Sequence, residues 1–203
     1  MFYMDREKIL SFINRAYATA CAHGFHDEKR SDAHYVMLML SEIGEMVEAD
    51  RKKRRAVYDA VEYCEKHVDE TPDINWGRYF ERDVKDTLED ELADVCIRIF
   101  DFCGLRRIKP AMYDGGIIEM QDEFNEIFGK MSVCEQCFAL SCLVGDVGRH
   151  REKWDKDRTE REIGAILSFC FDFAKFHGFD LEWHIDRKMR FNESRSRKHG
   201  KEY

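Results

Sequence analysis

Glu42 and Glu45 stand three residues apart in LSEIGEMVEADRKK, and Glu91 and Asp94 stand three apart in LEDELADVCIRIFDFCG. Residues at this spacing project from one face of a helix. Two such helices packed antiparallel would bring four carboxylates into one small volume, where they repel strongly unless something neutralises them. Mg²⁺, a hard cation that takes oxygen ligands and keeps waters for a substrate to displace, relieves that repulsion. The competing reading is four ordinary acids on solvated faces, since a chain with 41 acidic residues produces ExxE pairs by chance. The neighbours favour the metal. Glu42 and Glu45 alternate with Leu38, Met39, Ile43, Met46 and Val47, and Glu91 and Asp94 adjoin Leu92, Val95, Ile99 and Phe102. Acids beside the apolar face of a helix are costly unless paired or metal-bound.

The elements that must position these residues are helical. Apolar residues recur three and four apart over long segments, and alternating strand-like runs are scarce, so the fold class is all-α. The pattern predicts a first helix from Asp5, a plausible N-cap, to about Cys21, with Ile9, Leu10, Ile13, Ala16, Tyr17 and Ala20 on one face. A second helix runs from the cap residue Ser31 to about Arg54. Residues 56–82 read as an insert, a short helix near Val57–His67 followed by a loop with Pro72, Trp76 and Gly77. A third helix runs from about Val84 to Cys103, with Gly104 as its stop. Residues 105–116, with Pro110, Gly115 and Gly116, read as a linker. Further helices are expected near Ile117–Phe128, Ser132–Lys153, Glu160–His177 and Leu181–Asn192, before a polar, basic end.

Composition narrows the function. The net charge of −8 argues against a nucleic-acid-binding chain. An acidic protein that handles phosphates generally needs a divalent cation between the two sets of negative charge. No stretch of 18 apolar residues and no signal pattern is present, so a cytoplasmic protein with no membrane partner is expected. Among the 8 cysteines, Cys96, Cys103, Cys137 and Cys170 fall in apolar helical stretches, where a free thiol acts as a small hydrophobe. Cys134 and Cys137 form a lone CxxC. Cys142 and His150 are the nearest further ligands for zinc, at poor spacing.

A weak internal repeat crosses the linker. VMLMLSEIGEMVEADRKK lies on QCFALSCLVGDVGRHREK at a shift of 100 residues, which pairs Leu40-Ser41 with Leu140-Ser141 and Arg51 with Arg151. Laying Gly104 on Gly178 pairs the third helix with Ile163–Gly178 and Cys96 with Cys170. The first copy then carries an excess about the length of the insert. Any two amphipathic helices align to some degree, so the two readings, duplication and shared amphipathicity, stand together here.

SEIGEMVEADRKK followed by EDELADVCIRIFDFCG resembles the paired ExxE and ExxD motif of the MazG-like nucleoside triphosphate pyrophosphatases and the related dimeric dUTPases. KMRFNESRSRKHGKEY resembles that family's C-terminal element. The likeness is good over about residues 8–104, weaker over 117–180 and good again over 181–203. It implies an all-α bundle with a catalytic repeat in 1–104, a linker at 105–116 and a degenerate second repeat in 117–203 carrying the phosphate-contacting tail. It implies Mg²⁺ (Mn²⁺ as substitute) on Glu42, Glu45, Glu91 and Asp94, with Glu45 orienting the attacking water. It implies Lys188, Asn192 and Arg195 on the phosphates of a nucleoside triphosphate, which is cleaved to monophosphate and pyrophosphate. Many members carry an acid where this chain has Ser41. At the aligned metal positions the second repeat has Cys142, Gly145, Ala165 and Ser168, none a Mg²⁺ ligand of the right kind, so the second half reads as a fused partner replacing one subunit of a dimer. A monomeric pseudo-dimer or a homodimer is expected. The missing acid and the degenerate half also motivate an alternative, a non-catalytic module that senses a nucleotide or binds a protein.

Softer candidates remain. Phe25 and His26, beside His23, lie before the second helix, where related enzymes place an aromatic against the base; Phe25 could instead cap the helix pair. Asp101, seven residues after Asp94, could meet base or sugar, or pair with Arg98 or Arg106. Glu48 extends the acidic face. Lys29, Arg30 and the run Arg51–Arg55 could attract phosphate or simply be solvated.

Overall fold

The computed structural model describes residues 5–67, 73–111, 126–149 and 155–197. Every regular element among them is a helix: α1 (Arg6–Ala22), α2 (Asp32–Arg51), α3 (Asp59–Lys66), α4 (Asp73–Asp83), α5 (Leu88–Arg106), α6 (Val133–Arg149), α7 (Lys156–His177) and α8 (Leu181–Glu193). The two expected N-caps are in place. The side chains of Asp5 and Ser31 accept backbone N–H groups at the starts of α1 and α2, and Gly178 closes α7 in the left-handed conformation with φ 78°. Most of the predicted helix near Ile117–Phe128, His150 and residues 198–203 of the tail lie outside the described residues.

α5 is the centre of the molecule. It packs against α1, α2, α7 and α8, and α2 packs in turn on α6. Leu92, Ala93, Val95, Cys96, Ile99, Phe100, Phe102 and Cys103 are all fully buried, so α5 is apolar nearly all round, as a helix wrapped by neighbours must be. Cys64, Cys96, Cys103, Cys137 and Cys170 are buried free thiols, and the thiols of Cys96 on α5 and Cys170 on α7 hydrogen-bond each other. α2 and α6 run antiparallel: Gly148 faces Val36, while the Asp50 carboxylate acts on Cys137.

Three boundaries differ from expectation. Residues 73–83 form a helix where a loop with Pro72 and Gly77 was expected; Trp76 and Phe80, four apart, stack at 5.2 Å and pack with Val61, Cys64 and Val84 into a second small core. α5 begins at Leu88 because Thr87 caps it, its hydroxyl oxygen accepting from Asp90 N–H. Gly104 does not end the helix, which continues to Arg106 and closes on left-handed Arg107. Its role is steric. A Cβ there would lie 2.4 Å from the Cβ of Tyr17, so glycine is what allows α1 to approach α5.

The insert packs against the last helix. Its core packs on Trp183 and Phe191 of α8; Arg187 makes a two-pronged ion pair with Glu65, and Arg190 lies over the Trp76 ring at 4.2 Å. The insert thus buttresses the outer face of α8. No helix among the described residues is long and apolar enough to cross a membrane.

Gly104→Ala should therefore force α1 and α5 apart. We expect a loss of about 1–3 kcal/mol in urea unfolding, despite the higher helix propensity of alanine. An unchanged or raised midpoint would refute the close-approach role.

Candidate metal and phosphate site

The acids of α5 begin at its first turn. Glu89, Asp90 and Glu91 lie there, where the helix N-terminus favours negative charge. All three are buried: Glu89 accepts from the Ala56 N–H, Asp90 has no exposure, and Glu91 has 3%. Opposite them, α2 presents Glu42, also buried. Carboxylate oxygens of Glu42, Glu91 and Asp94 lie within 4.8 Å of one another. Glu45 lines the same cavity but stands outside this triad and is exposed. Two helices with ExxE and ExxD spacing therefore converge three of the four expected carboxylates and leave the fourth on the wall.

Two cations are built into the cluster. The Lys188 ammonium, from α8, contacts Asp90 and lies 2.8 Å from Asp94. Burial alone would drive off its proton, but Asp90, Asp94 and Glu91 outweigh burial and hold it above its ordinary range. The Arg98 Nε donates to Glu42 at 2.8 Å. Burial and then Asp94 push the Glu42 carboxyl up, against the pull of Arg98. Glu91 has no such partner: burial, then Asp94, push it up to about 9, and its Oε2 is buried with no hydrogen bond among the described residues. Asp90, accepting from the Asp86 N–H, is pushed up to about 6 by burial, and its Oδ1 is likewise unmatched.

This donor set fits a divalent cation. It offers three converging carboxylate oxygens, an orphaned Glu91 oxygen and no sulfur or nitrogen, the preference of Mg²⁺ or Mn²⁺. Among the described residues, which leave out His150, the zinc reading has no counterpart: Cys134 and Cys142 are exposed, Cys137 is buried, and the metal-capable cluster is made of carboxylates.

The triad opens into a cavity of about 210 Å³ whose lining also includes Phe25, Asp101, Lys188, Asn192 and Arg195. Residues near both ends of the chain thus meet at one site. Met189 holds α8 to the main core and Phe191 stacks on Phe80 at 5.0 Å, which fixes the face bearing Lys188 and Asn192. The Asn192 Oδ1 is buried with no hydrogen-bond partner among the described residues. Arg195 follows the helix, and its carbonyl is held 2.9 Å from His23 Nε2.

Several expectations change. Lys188, expected on phosphate, is held by Asp90 and Asp94 because it is buried and they are the nearest charges. His26 does not line the cavity; it stands behind Asp101, 2.7 Å from it. Asp101 pairs with neither Arg98 nor Arg106, which reach Glu42 and Asp32 instead. Glu48 is exposed and paired with Arg51 and Lys52, away from the site. Arg30 pairs with Glu28, Arg55 with Asp50, and Arg54 donates to the Lys85 carbonyl. Asp90, Lys85 and Asp86 were not foreseen, and Arg98 was foreseen only as a partner of Asp101. Asp86 turns the chain at φ 59°, a conformation aspartate tolerates, and lines the cavity with Lys85.

Comparison with known protein families, with curated proteins and with solved structures finds no match.

Mg²⁺ should raise the unfolding midpoint of the parent, because only the folded state assembles the triad. Glu91→Gln removes both a ligand and a buried carboxyl that burial and Asp94 force to keep its proton. Without metal it should be about 1 kcal/mol more stable than the parent, and its Mg²⁺-dependent shift should vanish. A full shift in this variant would rule out Glu91 as a ligand. A separate acid-side effect comes from His184 on α8, which burial and then Lys188 push down to about 3, with Tyr58 3.1 Å from its Nε2. A histidine depressed on folding stabilises fully above its unfolded pKa, near 6.5, and loses that contribution as pH falls toward 3. His184→Gln should therefore flatten the stability–pH curve between pH 6.5 and 4 by about 1.4 kcal/mol per unit. Parallel curves for the two proteins would contradict this.

Proposed function

We propose that the chain is a Mg²⁺-dependent nucleoside triphosphate pyrophosphohydrolase of MazG-like type. The observation that carries this reading is the meeting of the Glu42, Glu91 and Asp94 oxygens with Asn192 and Arg195 in one cavity. A carboxylate triad alone would suit many roles; the Arg195 guanidinium on the same cavity wall suits an extended polyphosphate.

In this reading Glu42, Glu91 and Asp94 hold the metal. Mg²⁺, when bound, supplies Lewis acidity at the phosphate oxygens and a more acidic water. Glu45, exposed on the cavity wall, takes the proton of the attacking water. The water oxygen bonds to the α-phosphorus as the bond to the bridging oxygen breaks, and pyrophosphate leaves with that electron pair. Arg195 neutralises the leaving group. Lys188 stays with Asp90 and Asp94 and keeps the acidic cluster tolerable.

A fused pseudo-dimer accounts for the second half. The Cys96 and Cys170 pair, equivalent in the repeat, are in contact, as residues on a two-fold axis must be. The antiparallel crossing of α2 on α6 fits the same axis. The non-catalytic alternative draws on Lys188, which already occupies part of the acidic cluster, and on the exposure of Glu45.

Assay of pyrophosphate release with common nucleoside and deoxynucleoside triphosphates tests both. We expect turnover with Mg²⁺ or Mn²⁺ and none with chelator. Glu45→Gln should lower kcat by about 100-fold or more, with the helical signal retained, and Arg195→Ala should lower it as well. Nucleotide binding without turnover would establish the sensor, and near-parental activity of Glu45→Gln would remove that residue from the mechanism.

A further inference from the structure

The cavity has a second polar end. Asp101 lies two helical turns beyond Asp94 on α5, about 10 Å along the axis, and both line the same space. Asp101 Oδ1 is 2.7 Å from His26 Nε2, and His26 Nδ1 is 3.3 Å from the Tyr35 hydroxyl. The Asp101 carboxylate only accepts, so Nε2 carries the hydrogen and donates to it. The neutral imidazole then leaves Nδ1 to accept from the Tyr35 hydroxyl. Asp101 is thereby held as an acceptor. Its Oδ2 makes no hydrogen bond among the described residues.

The groups around Asp101 support the same role. Tyr17 lies 5.4 Å from the His26 ring, and the Arg98 guanidinium, committed to Glu42, stands between Asp101 and the triad. Phe25 supplies an aromatic wall. A flat ring against Phe25 would present its edge to an oxygen that only accepts.

From this arrangement we infer that Asp101, oriented by His26 and Tyr35, selects nucleobases with an exocyclic amino group, cytosine above all, over uracil and thymine. An amino group donates to Oδ2. A uracil or thymine carbonyl at that place would face the carboxylate with lone pair against lone pair, leaving both unsatisfied. This specificity rests on the cavity being the nucleotide site proposed above. Asp101 touches the base; His26 is a positioning residue.

The test uses the full chain with Mg²⁺ and compares binding of dCMP and dUMP by calorimetry, alongside pyrophosphate release from dCTP and dUTP. We expect dCMP to bind about tenfold or more tightly than dUMP, with the same ratio in kcat/KM. Asp101→Asn, which adds a donor of the same shape, should collapse or reverse the ratio. His26→Gln, which can still donate to Asp101, should keep more of it than His26→Leu; a merely structural histidine would show no such difference in the ratio. Equal or stronger binding of dUMP by the parent overturns the inference, whether or not the variants fold. Turnover of both triphosphates without preference would overturn it too while leaving the hydrolase reading intact. A base preference in binding with no turnover would keep the inference and remove that reading.

Discussion

The contact of the Lys188 ammonium with Asp90 and Asp94 is the interaction on which the rest of the site depends. α5 is the most buried helix of the molecule, yet its first two turns carry four acids. Unpaired carboxylates at that depth would each cost several kcal/mol. The helix N-terminus offsets part of this and Thr87 caps it, but neither supplies a full charge. Lys188 does, and because it comes from α8, the charge balance of α5 also docks the C-terminal helix. The insert packs on the far side of α8 through Trp183, Phe191 and the Arg187–Glu65 pair. One buried cation therefore links the central helix, the last helix and the insert.

Such a pair is weak support for stability as such, since apolar residues of similar volume would often serve better. What it does is leave a defined charge deficit. Asp90, Asp94, Glu42 and Glu45 face Lys188 and Arg98, while Glu91 is held protonated for want of a partner, so the cluster has room for a further cation that would release that proton. A cluster neutralised in full would have no affinity for a cation; one with no internal cation would not fold around it.

The carboxylates were legible in the sequence because helical spacing is local: ExxE and ExxD fix which residues share a face before any tertiary contact is known. The caps Asp5 and Ser31 were legible for the same reason. What connects distant segments was not. Nothing in LEDEL marks Asp90 as the partner of a lysine 98 residues later, and nothing around His26 marks Asp101 as its acceptor. Gly104 read as a helix stop because glycine serves both as a terminator and as a point of close approach, and only Tyr17 in place distinguishes the two. Residues 73–83 read as a loop because Pro72 and Gly77 punctuate them. Their helix is secured instead by Trp76 and Phe80 against α3 and α8, and tertiary burial outweighs the local signals.

The two ends of the cavity differ in how they treat water and charge, and α5 sets the distance between them. At the Asp94 end, buried acids, a cation deficit and an orphaned oxygen suit a charged group that arrives with its own counterion. At the Asp101 end, a carboxylate oxygen is supplied with a donor from His26, whose other ring nitrogen meets Tyr35. Arg98 separates the two, tied to Glu42 and within the field of Asp101. A ligand that is anionic at one end and a neutral hydrogen-bond donor at the other satisfies both ends at once, whereas inorganic polyphosphate satisfies only the first. In the function proposed here, the rigidity of a single buried helix converts that chemical asymmetry into a length that would separate nucleotides from their phosphate fragments.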